Sequence, residues 1–352
     1  MGFACRMQAA ARHEPVTARA GPGGHSGPWP AFTRPLPSPL MPAPVRLIIN
    51  RSAGSAHSAD LSIALDAAAI DVIEVDSEDE TRDVATQAAR DGARTVVAAG
   101  GDGTLHLVAN GLMAWGETAD DRPALAVLPL GTGNDFARTL GLPLDDIATC
   151  IRCLGDAPTR RLDLIRYAHE DTHGYAVNAC AGGFSGTVGD TLTPELKASW
   201  GPLAYLIGAV KLLPDLTDYR TEIAWDGGPP ERLDAFNVVV ANGRTAAGGQ
   251  PVAPRANPED GLLDVVVVRA GTALDIARLA ALVLAGDYIT DDAIVFRQVR
   301  SVRISSTPGM WFNVDGELRT NEPVSFEAVP GALRVVVGPD YVATPLKPDE
   351  TP

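Results

Sequence analysis

The sequence predicts an α/β protein with an N-terminal parallel-sheet domain followed by an antiparallel β-sandwich domain. Between about residues 45 and 161, short apolar runs alternate with amphipathic segments, which is typical of βαβ units. After residue 161, short β-rich runs follow one another between Gly, Pro and Asp turns. The 352 residues are enough for about two domains.

The first domain should alternate strands and helices. The predicted strands are Val45–Ile49, Val72–Val75, Thr95–Ala99 and Ala124–Leu128, and the predicted helices are Ala59–Ala69, Thr81–Arg90, Leu105–Met113 and Asp135–Leu140. Parallel sheets bind ligands beyond the carboxyl ends of their strands. The loops after Ile49, Ala99 and Leu128 should therefore line one site.

The second domain should consist of short antiparallel strands with two helical interludes, at about Leu203–Leu213 and Leu274–Ala285. The predicted strands are Leu162–Tyr167, Tyr175–Ala179, Arg220–Ala224, Ala235–Ala241, Leu263–Arg269, Gln298–Ser305, Met310–Val314 and Val324–Ala328. This spacing of short strands favours a sandwich or barrel. We expect domains at 45–161 and 162–330, with a C-terminal segment at 331–352.

Residues 1–44 differ from the rest of the chain. They contain nine Pro, five Gly, four Arg and one acidic residue, without apolar periodicity. Such a composition buries too little apolar surface to offset the entropy lost on ordering. We therefore expect a disordered Pro/Gly-rich extension.

Composition argues against several functions. The formal net charge of −15 and an aromatic content of 5% argue against a nucleic-acid partner, which needs basic and stacking surfaces. Apolar runs such as Ile276–Ala285 are shorter than the roughly 18–20 residues of a membrane span. We expect a cytoplasmic protein, soluble or peripheral to a membrane.

One C-x-x-C pair, Cys150 and Cys153, has no second pair or His cluster at metal-ligand spacing. We interpret the two residues as small buried hydrophobes on a helix. A redox or zinc site is the alternative.

Three glycine-bearing loops carry the chemistry. Gly100–Thr104 follows an apolar strand and opens a helix, where backbone amides favour phosphate. Asn50–Gly54 follows the first strand, and Pro129–Asp135 follows the fourth. Together they favour a nucleotide-phosphate site over three unrelated turns. No P-loop pattern occurs, and the first strand lacks the G-x-G-x-x-G of a dinucleotide fold.

These motifs resemble the diacylglycerol kinase catalytic domain family, which includes bacterial lipid kinases and sphingosine kinases. The likeness rests on Gly100–Leu105 and on Leu130–Arg138, which reads LGTGNDFAR. NAD kinases share GGDGT but not GTGNDFAR. The resemblance runs from about Val45 to about Gly338 and implies that the C-terminal segment returns to the first domain.

The resemblance implies ATP-dependent phosphorylation of a lipid hydroxyl, with diacylglycerol as the first acceptor to consider and phosphatidic acid as its product. The ATP contacts that it implies are Asn50, Arg51, Ser52, Ala53, Gly54, Gly101, Asp102, Gly103, Thr104, Leu105 and Thr132. Asp102 and Mg²⁺ would neutralise charge on the transferred phosphoryl group. A sphingoid-base kinase, an NAD kinase-like enzyme and a non-catalytic nucleotide- or lipid-binding regulator stay open.

The second domain carries two further matches. The segment from Gly248 to Asp264 is similar to the family's G-G-x-x-x-A-P…D-G-L-L-D pattern. It implies a structural Mg²⁺ bound by Asp260 and by backbone oxygens of Asn257 and Leu262. An ordinary hairpin turn is the alternative.

Val314–Glu317 resembles the family's D-G-E turn. The resemblance assigns Glu317 as the general base for the alcohol proton, with Asp315 as the second candidate. The alternative is an exposed hairpin turn.

The chain departs from the family after GGDGT. The family usually reads L-N-E-V there, whereas His106 stands in place of the Asn and Leu107 in place of the Glu. Arg51 likewise replaces the usual Pro of the first loop. These replacements put the usual nucleotide contact in doubt.

A lipid acceptor requires contact with a bilayer. Trp200–Leu213 is apolar with few charges, and it is either an interfacial helix or a helix packed on its sheet. We expect a lipid alcohol as substrate and peripheral membrane contact, and a homodimer is compatible with both.

Overall fold

A computed structural model describes residues 45–50, 70–170, 172–183, 219–272, 288–321 and 324–344. It also describes Asp275, Arg278 and Leu282, which are helical as predicted for Leu274–Ala285. Outside the described residues lie the extension 1–44, the predicted helices Ala59–Ala69 and Leu203–Leu213, and the loop residues Arg51–Gly54.

The elements confirm the predicted change from alternating to β-rich structure. The helices are α1 (Glu78–Arg90), α2 (Asp102–Met113), α3 (Asp135–Thr139) and α4 (Ile147–Asp156). The strands are β1 (Val45–Asn50), β2 (Asp71–Val75), β3 (Thr95–Gly100), β4 (Ala124–Pro129), β5 (Thr159–His169), β6 (Thr172–Ala176), β7 (Ala179–Gly183), β8 (Tyr219–Trp225), β9 (Pro230–Ala241), β10 (Thr245–Ala246), β11 (Gln250–Pro251), β12 (Leu263–Arg269), β13 (Ile294–Val299), β14 (Ser301–Thr307), β15 (Trp311–Val314), β16 (Glu317–Asn321) and β17 (Val324–Val336).

The N-terminal part contains a parallel sheet in the order β2-β1-β3-β4. Strands β3 and β4 are buried along their whole lengths, which is why their sequences are continuous apolar runs. The chain passes from β1 to β2 on one side, and β3 lies on the other side of β1. The topological switch point is therefore between β1 and β3, and the loop after β3 is the GGDGT segment.

Helix α1 begins where its sequence provides a cap. The Ser77 side chain accepts a hydrogen bond from the Glu80 N–H at 3.2 Å, and the Glu80 carboxylate accepts one from the Asp76 N–H at 2.8 Å. Three acidic residues in the first turn also favour the positive end of the helix dipole. The buried alanine face of α1 packs in the same core as β1 and β3.

The C-terminal part is an antiparallel sandwich joined to the parallel sheet through β17. Strand β17 pairs with β14 over Val324–Glu327 and with β5 along most of its length. Beyond an irregularity between Val329 and Leu333, the strand also pairs in parallel with β4, at Val335 and Leu125. One 13-residue strand thus belongs to both sheets.

Two arginines fix this returning part of β17. The buried Arg122 guanidinium donates to the carbonyls of Trp115, Gly116 and Ala332. The Arg334 guanidinium donates in turn to the carbonyl of Arg122 at 2.8 Å. Both side chains therefore join β17 to the loop that follows α2.

Two predicted strands are wrong because each is interrupted by a carboxylate. The run Tyr175–Ala179 divides into β6 and β7, since the N–H groups of Val177 and Asn178 donate to Asp315. The run Gln298–Ser305 divides at Arg300, whose N–H donates to Asp226 Oδ1 at 2.8 Å. In both places a distant side chain takes hydrogen bonds that a strand would give to its neighbour.

The two cysteines of the C-x-x-C pair lie on α4 and pack in the core of the parallel-sheet part. Burial raises the pKa of the Cys150 thiol to about 11, and Cys150 Sγ donates to the carbonyl of Pro143. Burial also raises the pKa of Cys153. Protonated thiols in an apolar core agree with the structural interpretation, because redox and zinc chemistry need the thiolate.

Replacing Arg122 with Met should lower the free energy of unfolding by about 2–4 kcal/mol, because three carbonyl oxygens lose their donor and the bond to Ala332 is buried. Arg94→Met is the matched control, since Arg94 is exposed and its loss should cost less than about 0.5 kcal/mol. Urea denaturation of both variants measures the difference. Equal losses would mean that Arg122 does not fix β17.

Candidate active site

The GGDGT loop makes a turn with almost no linker between a strand and a helix. β3 ends at Gly100, Gly101 is the N-cap, and α2 begins at Asp102. A Cβ at Gly100 would lie 2.3 Å from Thr104 Oγ1, so the turn requires glycine there. The first-turn N–H groups have no acceptor within the helix and point toward the end of the sheet. Such a helix start is suited to bind phosphate.

The loop after β4 packs directly on this turn. A Cβ at Gly131 would lie 2.3 Å from the Gly101 Cα, so the two backbones are in contact. Asn134 adopts a left-handed conformation with φ of 52°, and its side chain exchanges two hydrogen bonds with the backbone of Gly131. The GGDGT and GTGND motifs thus form one surface, as the sequence predicts.

Asp102 joins the two loops. Its carboxylate accepts hydrogen bonds from the N–H groups of Asp135 and Phe136, each at 3.2 Å, at the start of α3. Burial raises the pKa of Asp102 above its ordinary value, the two N–H groups lower it, and the negative charges of Asp135 and Asp315 raise it further. The carboxylate therefore lies among three elements: α2, the start of α3 and the D-G-E turn.

Asp135 joins the same surface to the second part of the chain. Its buried carboxylate accepts hydrogen bonds from the N–H groups of Gly248 and Gly249, at 2.9 and 2.7 Å. Both glycines have positive φ values, 83° and 101°. Both motifs can be identified in the sequence, but their contact with each other was not predicted. The signal was the coexistence of an acidic residue in one motif with a Gly-Gly pair in the other.

The D-G-E segment is a hairpin turn whose first carboxylate points inward. Asp315 and Gly316 have φ values of 48° and 104°, as a two-residue type I′ turn requires. The carboxylate of Asp315 is buried and accepts hydrogen bonds from the N–H groups of Val177, Asn178 and Ala179 at 2.7–3.1 Å. Its Oδ2 also lies 2.9 Å from His106 Nδ1. Asp315 thus anchors the turn and is shielded from solvent.

Glu317 is the first residue of β16 and is paired with Val314 directly after the turn. Its side chain lies outside the described residues. Residue 317 follows two positions after Asp315, whose carboxylate contacts His106 of α2. The D-G-E turn and the GGDGT helix therefore adjoin each other.

The other predicted ATP contacts divide into three groups. Gly101, Gly103 and Thr104 lie on the start of α2, and the exposed Thr132 lies on the facing loop. Asn50 ends β1 at the switch point, and Arg51–Gly54 lie outside the described residues. The side chain of Leu105 is buried in the core and its N–H donates to the carbonyl of Gly101, and its contact with ATP stays a prediction.

Comparison with protein families agrees with this geometry. Residues 44–167 match the diacylglycerol kinase catalytic domain, and residues 179–337 match the YegS C-terminal NAD kinase beta sandwich-like domain. A diacylglycerol kinase of Bacillus subtilis (strain 168) is 31% identical over 258 residues, which are 72% of this chain and 82% of that protein. The chain belongs to the diacylglycerol kinase catalytic domain family.

Other relatives extend the likeness to most of the chain. A probable lipid kinase YegS-like protein of Stenotrophomonas maltophilia (strain K279a) is 33% identical over 69% of this chain and 79% of its own length. A crystal structure of a diacylglycerol kinase from Bacillus anthracis str. Sterne covers 85% of this chain and 98% of its own, with a TM-score of 0.64 and 23% identity. That structural likeness shows the fold.

His106 and Leu107, the two residues that differ from the family pattern after GGDGT, have different surroundings. His106 contacts Asp315, and the side chain of Asn110, one turn further along α2, donates to the carbonyls of His106 and Tyr175 at 2.8 Å. Leu107 is 5% exposed, and its apolar side chain offers no charged contact to a nucleotide.

The loop predicted to bind a structural Mg²⁺ is held in a defined shape. The buried carboxylate of Asp163 accepts hydrogen bonds from the N–H groups of Gly261 and Gly331, and Asp260 Oδ1 accepts one from Leu262. A cavity of about 930 Å³ adjoins this loop. One carboxylate among backbone oxygens suits a hard cation. Among the described residues no group of three or more His, Cys, Asp or Glu side chains could hold a metal ion, so this site stays a prediction.

Asp264, at the end of the same motif, is buried, and few hydrogen bonds replace the water that its carboxylate loses. It is 1% exposed, its Oδ1 has no hydrogen-bond partner among the described residues, and its Oδ2 lies 3.5 Å from Gln298 Nε2. Burial raises the pKa of Asp264 from 3.8 to about 7. Between these two values the folded state holds a proton that the unfolded state releases, so stability falls as the pH rises.

Asp264→Asn should therefore flatten the pH dependence of stability between about pH 4 and pH 7. The variant should match the wild type at about pH 4 and exceed its free energy of unfolding by roughly 1–4 kcal/mol at about pH 8, because the buried charge is gone. Urea denaturation at several pH values measures this. An unchanged slope would show that Asp264 does not titrate in this range.

Proposed function

We propose that this protein is an ATP-dependent lipid kinase that transfers the γ-phosphoryl group to a lipid hydroxyl, with diacylglycerol as the first acceptor and phosphatidic acid as product. The observation that supports it most is the place of Asp102, between two phosphate-suited loops and on the helix that contacts the D-G-E turn through His106. The family membership and the named activities of the relatives support the same reaction class.

In this proposal the backbone of the glycine loops binds the phosphates. The first-turn N–H groups of α2 would face the anionic oxygens, and Thr132 would add a hydroxyl donor. Mg²⁺, bound with ATP, supplies charge neutralisation, and Asp102 is the residue that would hold it. Phosphoryl transfer depends mainly on positioning and electrostatics, which a surface of fixed backbone groups favours.

The acceptor alcohol would lose its proton to Glu317. Asp315 is less suited to this role, because its carboxylate is buried and already accepts three backbone hydrogen bonds. We assign Asp315 the role of anchoring the turn, and Glu317 follows two residues later as the base. This assignment separates the two acidic residues of the motif into a base and its support.

The lipid acceptor would be reached at a membrane surface. Among the helices of the described part of the chain, none is long and apolar enough to cross a membrane. Trp200–Leu213, the segment expected to contact the interface, lies outside the described residues. Peripheral contact is part of the proposal because the acceptor is a lipid.

The deciding experiment supplies radiolabelled ATP and Mg²⁺ with a panel of lipid alcohols in mixed micelles: diacylglycerol, a sphingoid base and phosphatidylglycerol. NAD serves as a non-lipid acceptor, and Asp102→Asn is the control. We expect label in a lipid product for the wild type and less than about a tenth of that rate for the control, because the metal contact and its charge are lost. Transfer to NAD alone, or no transfer above the control, would contradict the proposal.

Glu317→Gln should lower kcat for lipid phosphorylation by about 10²–10⁴-fold, the usual contribution of a general base. The KM for ATP should change little, because the base contacts the alcohol. Steady-state kinetics of Glu317→Gln and of the control Glu327→Gln, at an exposed position of β17, separate a specific loss from a general one. Wild-type kcat in Glu317→Gln would move the base elsewhere.

A further inference from the structure

His106 connects the GGDGT helix with the D-G-E turn. It lies in the second turn of α2, four residues after Asp102, and is 3% exposed. Its Nδ1 is 2.9 Å from Oδ2 of Asp315. Because a carboxylate oxygen accepts, Nδ1 carries the proton in this contact. The helix that begins with Asp102 is thus bonded to the turn that leads to Glu317.

A paired His and Asp could in principle act as an acid–base dyad. The surroundings of His106 argue against that role, because the ring is buried and its second nitrogen, Nε2, faces the Asn110 side chain at 3.5 Å. A general base must reach the substrate proton within hydrogen-bond distance or through one water. His106 therefore acts on other protein groups.

The contacts of Asp315 come from two sides. From the sandwich side, three consecutive N–H groups, of Val177, Asn178 and Ala179, hold its carboxylate. From the parallel-sheet side, His106 is the described side chain that reaches it. The carboxylate is thus bonded to both parts of the chain, and the His106 bond fixes the turn relative to α2.

Asn110 holds His106 in place. Its Nδ2 donates to the carbonyls of His106 and Tyr175, and its Oδ1 accepts from the Tyr175 N–H at 3.0 Å. These bonds attach α2 to β6, next to the break at Val177. Asn110 thus joins α2 to β6 beside the imidazole, whose Nε2 lies 3.5 Å from Asn110 Nδ2.

We propose that His106 is a positioning residue that fixes the distance between Asp102 and the D-G-E turn, and through it the place of Glu317. The proposal rests on the proposed function, since it concerns the same phosphoryl transfer. Its physical basis is that a catalytic group displaced by about 1 Å can lose roughly 10²-fold in rate although binding is unchanged. An Asn at residue 106, as in the family pattern, retains an N–H donor and should perform part of this role.

The kinetic test compares His106→Ala with His106→Asn. We expect His106→Ala to lower kcat for lipid phosphorylation by about 10–100-fold with the KM for ATP within about twofold, and His106→Asn to recover most of that loss. Val108→Ala is the matched control, because it removes a buried side chain from the same helix without touching the turn. Equal kcat losses in His106→Ala and Val108→Ala, or no loss in His106→Ala, would overturn the proposal.

Amide hydrogen exchange provides a readout that does not depend on activity. In His106→Ala the N–H groups of Val177, Asn178 and Ala179 should exchange faster than in the wild type, whereas those of β3 should not. If the wild type phosphorylates no acceptor, the proposed function fails, and the exchange pattern alone then decides whether His106 holds the turn. Unchanged protection of residues 177–179 would overturn the inference. If His106→Ala does not fold, His106→Gln, which displaces the donor, replaces it with the same expectations.

Discussion

The hydrogen bonds from the start of α3 to the Asp102 carboxylate are the interaction on which the site depends. They require the GTGND loop to approach the GGDGT turn so closely that glycine is needed at residue 131, where a Cβ would lie 2.3 Å from the Gly101 Cα. A Cβ at Gly133 would likewise lie 2.8 Å from Asp102 Oδ2. The glycines at residues 131 and 133 are thus explained by the close approach of the two loops around one carboxylate.

The same arrangement explains how several negative charges coexist. Asp102 accepts two backbone N–H bonds, Asp135 accepts two more, and Asp315 accepts three. Backbone donors compensate for the water that buried carboxylates lose. The compensation is incomplete for Asp102, since burial and the neighbouring charges raise its pKa. A cation at Asp102 would lower that pKa, which is why the arrangement is compatible with a Mg²⁺-bound nucleotide.

Much of the fold was predictable from local patterns, because apolar runs and glycine turns reflect burial and backbone geometry directly. The interruptions of the predicted strands at Val177 and Arg300 were not predictable in this way, because each depends on a carboxylate that is distant in the chain. The burial of Leu105 likewise depends on the fold, because the helix directs its side chain into the core although its neighbours in the motif lie at the loop. Sequence patterns report which residues are near one another in the chain, whereas these features depend on residues brought together by folding.

For the site, sequence predicted the loops and the turn but not the contacts between them. The link from Asp135 to Gly248 and Gly249 joins two motifs that are 113 and 114 residues apart. The link from His106 to Asp315 spans 209 residues and uses a residue that departs from the family pattern. Two side chains, Asp135 and His106, each reach across the boundary between the parallel sheet and the sandwich and thus fix the relative place of the four motifs. The sandwich contributes the Asp315 carboxylate and several backbone N–H groups, so its other side chains near the site are freer to vary than the carboxylates and glycines. We therefore expect substitutions that affect turnover to concentrate at those carboxylates and glycines and at His106.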